Sequence, residues 1–381
     1  MAHRNGLGGG AMAIAGILLC AGVFAKAPAG AAPSAVPLIY STDLYHPHVD
    51  LDDHFDLAEV FALPELSVQA IILDVNGNIA RSGRPAVEQM MALTGRRVPY
   101  AVGLKGKLQS PQDKALDQPA ACQQGVALLL RVLREAKAPM PIVTTGSVRD
   151  VVAAFNREPA LFRAKVSGIY ANVGNAAVGG REYNVDLDAA AYRALFASSL
   201  PVCWFPCFPA DAKGATFWRL DYTPMFADGG APVGLQDYFL YAMRKLDPAK
   251  VDPLAILKPH FRRQIAAQAL PRGSKEMWST PSLLAVAGRK VYRVGLGRWV
   301  AAASPPPDGK EEPVFRLVPA RVEVDERGRA TKVQHNAPDA NVRAFYRDDP
   351  DLYGRAMNSC LLELYRKFAV AGASGPEGDS R

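Results

Sequence analysis

Cysteine, histidine and long apolar runs are all scarce in this chain. Its 381 residues include five cysteines and six histidines. Beyond Cys20 the cysteines are Cys122, Cys203, Cys207 and Cys360, too few and too scattered for a disulfide-stapled scaffold. Residues four apart in a strand lie ~13 Å from each other. Bridged Cα atoms lie within ~7 Å, so a Cys203–Cys207 bridge needs a turn at Pro206. Cys122 and Cys360 could pair in an oxidising compartment, with buried thiols as the equal alternative. The formal charge of +7 is modest, and Lys and Arg are spread along the chain apart from pairs such as Arg262-Arg263. Without a basic stripe interleaved with aromatics, nucleic-acid binding is disfavoured. There is no internal repeat. No segment after the N-terminal stretch reaches the ~20 apolar residues that a membrane span takes.

That N-terminal stretch has its own pattern. His3 and Arg4 precede an uncharged run from Ala11 to Phe24, followed by Ala29-Gly30-Ala31. A basic start, a short apolar core and small residues at its end read as a secretory signal peptide over 1–31. A lipoprotein anchored at Cys20 is the lesser alternative, because Leu18-Leu19 lacks the small residue usual beside a lipidated cysteine. The mature protein is expected to be periplasmic or secreted. With 49% apolar residues it can bury a large core, and residues 32–370 are expected to form one α/β domain. Irregular insertions are expected near 206–232 and 300–313, and a disordered tail at 371–381.

Through the first half, short apolar runs alternate with helical spacing. Val36–Tyr40, Val68–Leu73, Val98–Val102, Pro141–Thr145, Val166–Tyr170 and Pro201–Phe205 read as strands. Helices fall between them, at Asp53–Leu63, around Pro85–Leu93, near Ala120–Ala136, through Val151 and Phe155, and at Ala189–Ala197. Repeated β-α units imply a mostly parallel, open, Rossmann-like sheet with helices on both faces. The second half is less regular. Pro206 to Pro232 reads as a long surface excursion, and Asp237–Leu246 as a helix. Leu283–Ala287 and Val291–Val294 read as strands around Gly288, and Phe315–Val324 with Ala330–Val333 as a hairpin. A last helix is expected over Asp351–Phe368.

What the chain does have is a dense acidic segment. Between Asp43 and Asp56 lie five aspartates and three histidines: Asp43, Asp50, Asp52, Asp53 and Asp56, with His46, His48 and His54. Like charges ~4 Å apart cost about 1 kcal/mol in water and about 4 near a protein surface, so this segment calls for a cation. Oxygen ligands suit a hard divalent ion. A transition metal held by His46, His48 and His54 with the carboxylates is the alternative. Acidic residues at a helix start can also be plain caps, which would account for Asp52 or Asp53 but not for all five. Polar turns follow four strands: Asp43, Asn76-Gly77-Asn78, Thr144-Thr145-Gly146 and Gly174-Asn175. In open parallel sheets ligands bind beyond the carboxyl ends of strands, so these turns are expected to share one edge.

In this order the motifs resemble the inosine/uridine-preferring nucleoside hydrolase family, from about 36 to 205. Thr42-Asp43 followed by Asp52-Asp53 and Leu57-Ala58, then Gly77-Asn78, then Thr145-Gly146-Ser147-Val148-Arg149-Asp150, then Gly174-Asn175, Glu182-Tyr183-Asn184 and Asp188 carry the likeness. The resemblance implies the nucleoside hydrolase type of α/β fold and metal-dependent cleavage of the N-glycosidic bond of ribonucleosides or related N-ribosides. It implies calcium held by Asp43, by one or both of Asp52 and Asp53, and by the Thr145 carbonyl, with Asp43 as the base that activates water. It implies ribose contacts from Asn78, Glu182 and Asn184. Trp278 is a candidate to stack on the leaving base, or else a core residue.

The family's late His-Asp-Pro run is answered here by Trp278-Ser279-Thr280-Pro281, with hydroxyls where a carboxylate and an imidazole stand. Asp50 and Asp56 are the carboxylates that could compensate. A non-catalytic nucleoside- or sugar-binding protein on the same fold is the rival reading, and a hydrolase of another linkage a third. The expected partner is a small riboside, and a homo-oligomer is compatible with the sequence.

Overall fold

A computed structural model describes residues 35–75, 77–258 and 270–372. The leader, Asn76, the Arg262-Arg263 pair and the tail beyond 372 lie outside them. The strands are β1 (Val36–Thr42), β2 (Leu66–Leu73), β3 (Tyr100–Val102), β4 (Met140–Thr144), β5 (Val166–Ala171), β6 (Val202–Trp204) and β7 (Trp218–Asp221). They continue with β8 (Ser274–Met277), β9 (Lys290–Arg293), β10 (Trp299–Ala302), β11 (Lys310–Glu311), β12 (Arg316–Val324), β13 (Ala330–His335) and β14 (Val342–Tyr346). Nine of them form the main sheet, in the order β13-β12-β14-β6-β5-β4-β1-β2-β3. The run from β14 to β3 is parallel throughout, and β12 and β13 close that edge antiparallel.

Side-chain alternation in the central strands divides the core in two. In β1, Leu38 and Tyr40 join one apolar cluster and Ile39 the other. Ile71 and Leu73 of β2 face the first cluster, and Ala70 and Ile72 the second. Helices Asp52–Ala62, Arg84–Thr94 and Pro350–Arg366 cover the first face, and Gln124–Glu135 and Arg149–Arg157 the second. Burial on both faces is why these strands read as continuous apolar runs. Among the described residues no helix is long and apolar enough to cross a membrane.

Two readings are corrected. Leu283–Ala287 is not a strand: Thr280–Val286 is a helix with Pro281 in its first turn. Proline there is pre-set for helix, and a short apolar run does not by itself tell buried helix from buried strand. The 206–232 stretch is not a surface excursion either. It contains β7, paired with β8, and buries Trp218, Leu220, Met225 and Phe226. Arg347, itself buried, donates to the carbonyls of Ala210, Ala212 and Phe217 and so ties this stretch to the end of β14. Of the 300–313 region, Trp299–Ala302 and Lys310–Glu311 flank β9 in a small separate sheet. No disulfide joins Cys122, Cys203, Cys207 and Cys360.

Candidate active site

The chain reverses direction across the sheet between β1 and β4. It runs outward through β2 and β3, then returns to β4 on the other side of β1. Crevices open at such a switch point. Backbone hydrogen bonds prolong the ladder past the strand ends: Thr145 N–H donates to Ser41 O at 2.8 Å and Asp74 N–H to Thr42 O at 2.8 Å. Asp43 therefore emerges between the turns that follow β2 and β4. Gly146 lies so close that a Cβ there would sit 2.8 Å from Asp43 Cβ and 2.9 Å from Asp43 N. Only glycine permits that approach.

The helix Asp52–Ala62 brings the remaining carboxylates to the same edge. Its first turn carries Asp52 and Asp53. Asp53 Oδ1 accepts from the Thr42 hydroxyl at 2.9 Å and from the Thr145 hydroxyl at 3.3 Å, and Tyr40 shares a 3.1 Å hydrogen bond with Thr145. Asp56, one turn on, is hydrogen-bonded by Ser279. Asp52 Oδ1 and Asp56 Oδ1 are buried without a hydrogen-bond partner among the described residues. Burial, then Asp53, Asp74 and Asp52, push the Asp43 carboxyl well above its ordinary range. Asp52 is raised by burial and Asp53, and Asp56 by burial and Asp52. Asp53 is pushed up to about 8 by burial and Asp56.

Four acids whose ionised forms are this disfavoured need a proton each or a shared cation. Orphaned, buried carboxylate oxygens backed by threonine hydroxyls make an all-oxygen donor set, the kind that suits calcium or magnesium. The residues fit a divalent ion in that chemical sense, although among the described residues no three His, Cys, Asp or Glu side chains are grouped to hold one. Asp50 stands apart from the others. It is exposed, and its Oδ1 pairs with Lys275 Nζ at 2.7 Å.

The three histidines do come together, with His54 5.9 Å from His46 and 6.0 Å from His48 between ring centroids. His46 Nε2 lies 2.6 Å from Leu246 O, and its ring stacks on Tyr241 at 4.7 Å. His54 is fully buried with neither ring nitrogen hydrogen-bonded. Burial lowers all three, His48 to about 4. Of the three rings His46 stacks on Tyr241, and His54 lies 5.9 Å from Tyr238 at a tilt.

An open pocket of about 450 Å³ is lined by Asn175, Arg181, Glu182, Tyr183, Phe208 and Pro209. Glu182 borders it, but its carboxylate accepts from the N–H groups of Gly174, Asn184 and Val185 at 2.9, 2.8 and 3.1 Å, capping the helix Tyr183–Leu187. Asn184 has a buried Oδ1 without a partner. Asn78 is exposed beyond β2. Trp278 is half-buried against Phe208 and Phe217, at centroid distances of 5.7 and 6.1 Å. Its indole nitrogen is buried and unpartnered.

Several residues of this edge were not singled out from sequence. Asp74 accepts from Ser147 N at 2.9 Å and pairs with Arg149 at 3.4 Å, and Arg149 Nε pairs with Asp188 at 2.9 Å. All three side chains are buried. Asp74 ends an apolar strand and was legible as an oddity, whereas Arg149 and Asp188 sat inside motifs noted for other reasons. Lys275 carried no signal, because only the pairing of β8 with β7 brings it to the acidic segment.

The nine-stranded, mostly parallel sheet is an architecture shared with solved nucleoside hydrolases. A plant nucleoside hydrolase, PpNRh1, has this fold, with a TM-score of 0.51 and 16% identity over 88% of this chain and 99% of that one. The particular relatives by sequence are enzymes named pyrimidine-specific ribonucleoside hydrolase RihA. That of Enterobacter sp. (strain 638) is 28% identical over 190 residues, 44% of this chain and 58% of its own length. That of Salmonella paratyphi A is 30% identical over 189 residues, 44% of this chain and 59% of its own length. The chain thus spans under two thirds of the relatives it matches. No family model matches it. The chain is thus similar in sequence to ribonucleoside hydrolases over part of their length, and similar in fold to a nucleoside hydrolase.

Proposed function

We propose that this protein hydrolyses the N-glycosidic bond of ribonucleosides or related N-ribosides with the help of a divalent cation, calcium in the first place. The observation that carries the reading is a set of four mutually repelling carboxylates, Asp53 and Asp56 buried and Asp43 and Asp52 half-buried, two of them with unpartnered oxygens, at the switch point of a nucleoside hydrolase fold. Asp43, Asp52, Asp53 and Asp56 with the Thr145 carbonyl are the donors for the ion. Asp50 belongs to Lys275 instead.

Cleavage of a riboside develops positive charge on the ribose ring. Fixed carboxylates in a water-poor recess stabilise that charge more than they stabilise the neutral substrate, which is the condition for acceleration. Asp43 takes the proton of the water that attacks the anomeric carbon. Thr42 and Thr145 hold the Asp53 carboxylate in orientation through two hydroxyls. A bound divalent cation would supply the compensating charge and grip the ribose hydroxyls. Asn78 and Asn184 are the side chains offered to the remaining sugar hydroxyls, and the Glu182 carboxylate shapes that wall. In this proposal the leader over 1–31 makes the enzyme periplasmic or secreted, which cell fractionation tests.

The test is release of base from inosine and uridine by the calcium-loaded protein, before and after chelation, alongside Asp43→Asn. Turnover is expected to vanish on chelation and return with calcium, and Asp43→Asn to lower it about 10²–10⁴-fold. A metal-loaded sample inert on a broad panel of ribosides would overturn the proposal. Tight riboside binding by such an inert sample would instead mark a binding protein on this fold.

A further inference from the structure

We propose that Lys275 is a catalytic residue of this same site, its ammonium bearing the negative charge that develops on the departing base. The inference rests on the hydrolase reading above. Two opposite charges grow when an N-glycosidic bond breaks. The carboxylates serve the positive one on the ribose and would repel the negative one on the base.

Lys275 lies where those two environments meet. It comes from β8, with a side chain only 15% exposed, and its Nζ is 2.7 Å from Asp50 Oδ1. The same nitrogen is 5.0 Å from the centre of the Trp278 ring. Trp278 packs on Phe208, and Phe208 lines the 450 Å³ pocket. Lys275 is also the cation felt by Asp52 and Asp56, whose proton affinities it moderates. One side of the ammonium thus faces the acids and another the aromatic wall. An ammonium has three donors, and Asp50 is the carboxylate it pairs with among the described residues. The buried, unpartnered indole N–H of Trp278 is a second donor at that wall. A flat heterocycle with ring nitrogens and carbonyl oxygens is the kind of group that uses both.

In the reaction the C1′–N bond breaks and its electron pair goes to the base nitrogen. The water oxygen bonds to C1′, and the water proton goes to Asp43. The base anion, hydrogen-bonded to the ammonium, takes a proton from solvent as it leaves, and Asp43 returns one. Nothing is oxidised or reduced.

The experiment compares Lys275→Met and Lys275→Arg on two substrates, with calcium present. One is inosine or uridine, whose base is a poor leaving group. The other is 4-nitrophenyl β-riboside, whose leaving group departs as a stable anion and needs no assistance. Lys275→Met is expected to lower kcat on the nucleoside by about 10²–10³-fold, the usual cost of losing one preorganised donor. On the nitrophenyl riboside it is expected to stay within about threefold of the parent, and Lys275→Arg to recover most of the nucleoside activity. Equal losses on both substrates, or no loss on either, would overturn the inference and leave the hydrolase reading standing. A parent that cleaves neither substrate would remove both. Should Lys275→Met fail to fold, Lys275→Gln is read by the same two substrates.

Discussion

Thr42 Oγ1 donates to Asp53 Oδ1 at 2.9 Å, joining the end of β1 to the first turn of the following helix across the intervening loop 43–51. The bond sets where that carboxylate stands, because the loop between holds the exposed Val49 and Asp50. A hydrogen bond to a charged group contributes about 1.5–3 kcal/mol. Thr42→Val keeps the shape and removes the donor. It is expected to weaken calcium binding about tenfold or more, since each 1.4 kcal/mol is a factor of ten. Isothermal titration with calcium measures this, and unchanged affinity would show that Thr42 serves only the fold.

The buried acids also make stability depend on pH. Asp53 and Glu59 are pushed up to about 8 and Asp150 to about 7, in each case chiefly by burial. Each folded-state value lies above the ordinary 3.8 or 4.5, so the folded chain holds these protons more tightly than the unfolded chain. Their stabilising contribution is complete below the ordinary values and is lost as pH rises through 7 to 8. In chelator, the melting temperature is expected to fall as pH is raised over that window. Added calcium should oppose the fall. Glu59→Gln keeps a hydrogen-bonding partner for Thr280, now 2.8 Å from the Glu59 carboxylate, and should flatten the pH dependence. A melting temperature that rises across the window in chelator would contradict this assignment.

Arg149 is expected to be a point of structural failure. It pairs with Asp74 and Asp188 and also donates to the carbonyls of Leu104 and Leu187, all in the interior. Removing one member of a buried ion pair costs about 3–5 kcal/mol, because the partner's charge is left uncompensated. Arg149→Met should lose about that much in a urea titration. Asp74→Asn added to it should recover part of the loss by removing one of the stranded charges, and the double-mutant cycle measures how much.

The alternating β-α plan was legible because its strands are buried on both faces and its helices are amphipathic. Ala189–Ala197 matched the expected bounds, and the neighbouring elements fell within a few residues. The join of β14 to β6 was not legible, since pairing between Arg343 and Cys203 spans a long stretch of sequence with no local sign. In the site, the acidic residues of the early helix were readable because so many carboxylates so close together demand an explanation. Asp50 was misplaced with them: one-dimensional spacing cannot show that a lysine far along the chain draws it outward. Glu182 illustrates the opposite limit. The motif offered it as a ribose contact, yet three backbone N–H groups take up its carboxylate, and such capping is invisible before the turn is built.

Gly146 offers the sharpest separation of activity from folding. A methyl group there would lie 2.8 Å from Asp43 Cβ, 2.9 Å from its backbone nitrogen and 3.0 Å from its Cγ, so relief must come from moving Asp43 itself. Overpacking of this kind costs about 1–3 kcal/mol in stability, which a domain with this much buried core can absorb. A displacement of roughly 1 Å at the reacting groups can cost about 10²-fold in rate. Gly146→Ala is therefore expected to remain folded by circular dichroism, melt a few degrees lower, and lose about two orders of magnitude in kcat on inosine or uridine. In the proposed mechanism Asp43 is both base and cation donor, so calcium affinity should fall with it. Full activity in Gly146→Ala would mean that the position of Asp43 is not what the reaction depends on.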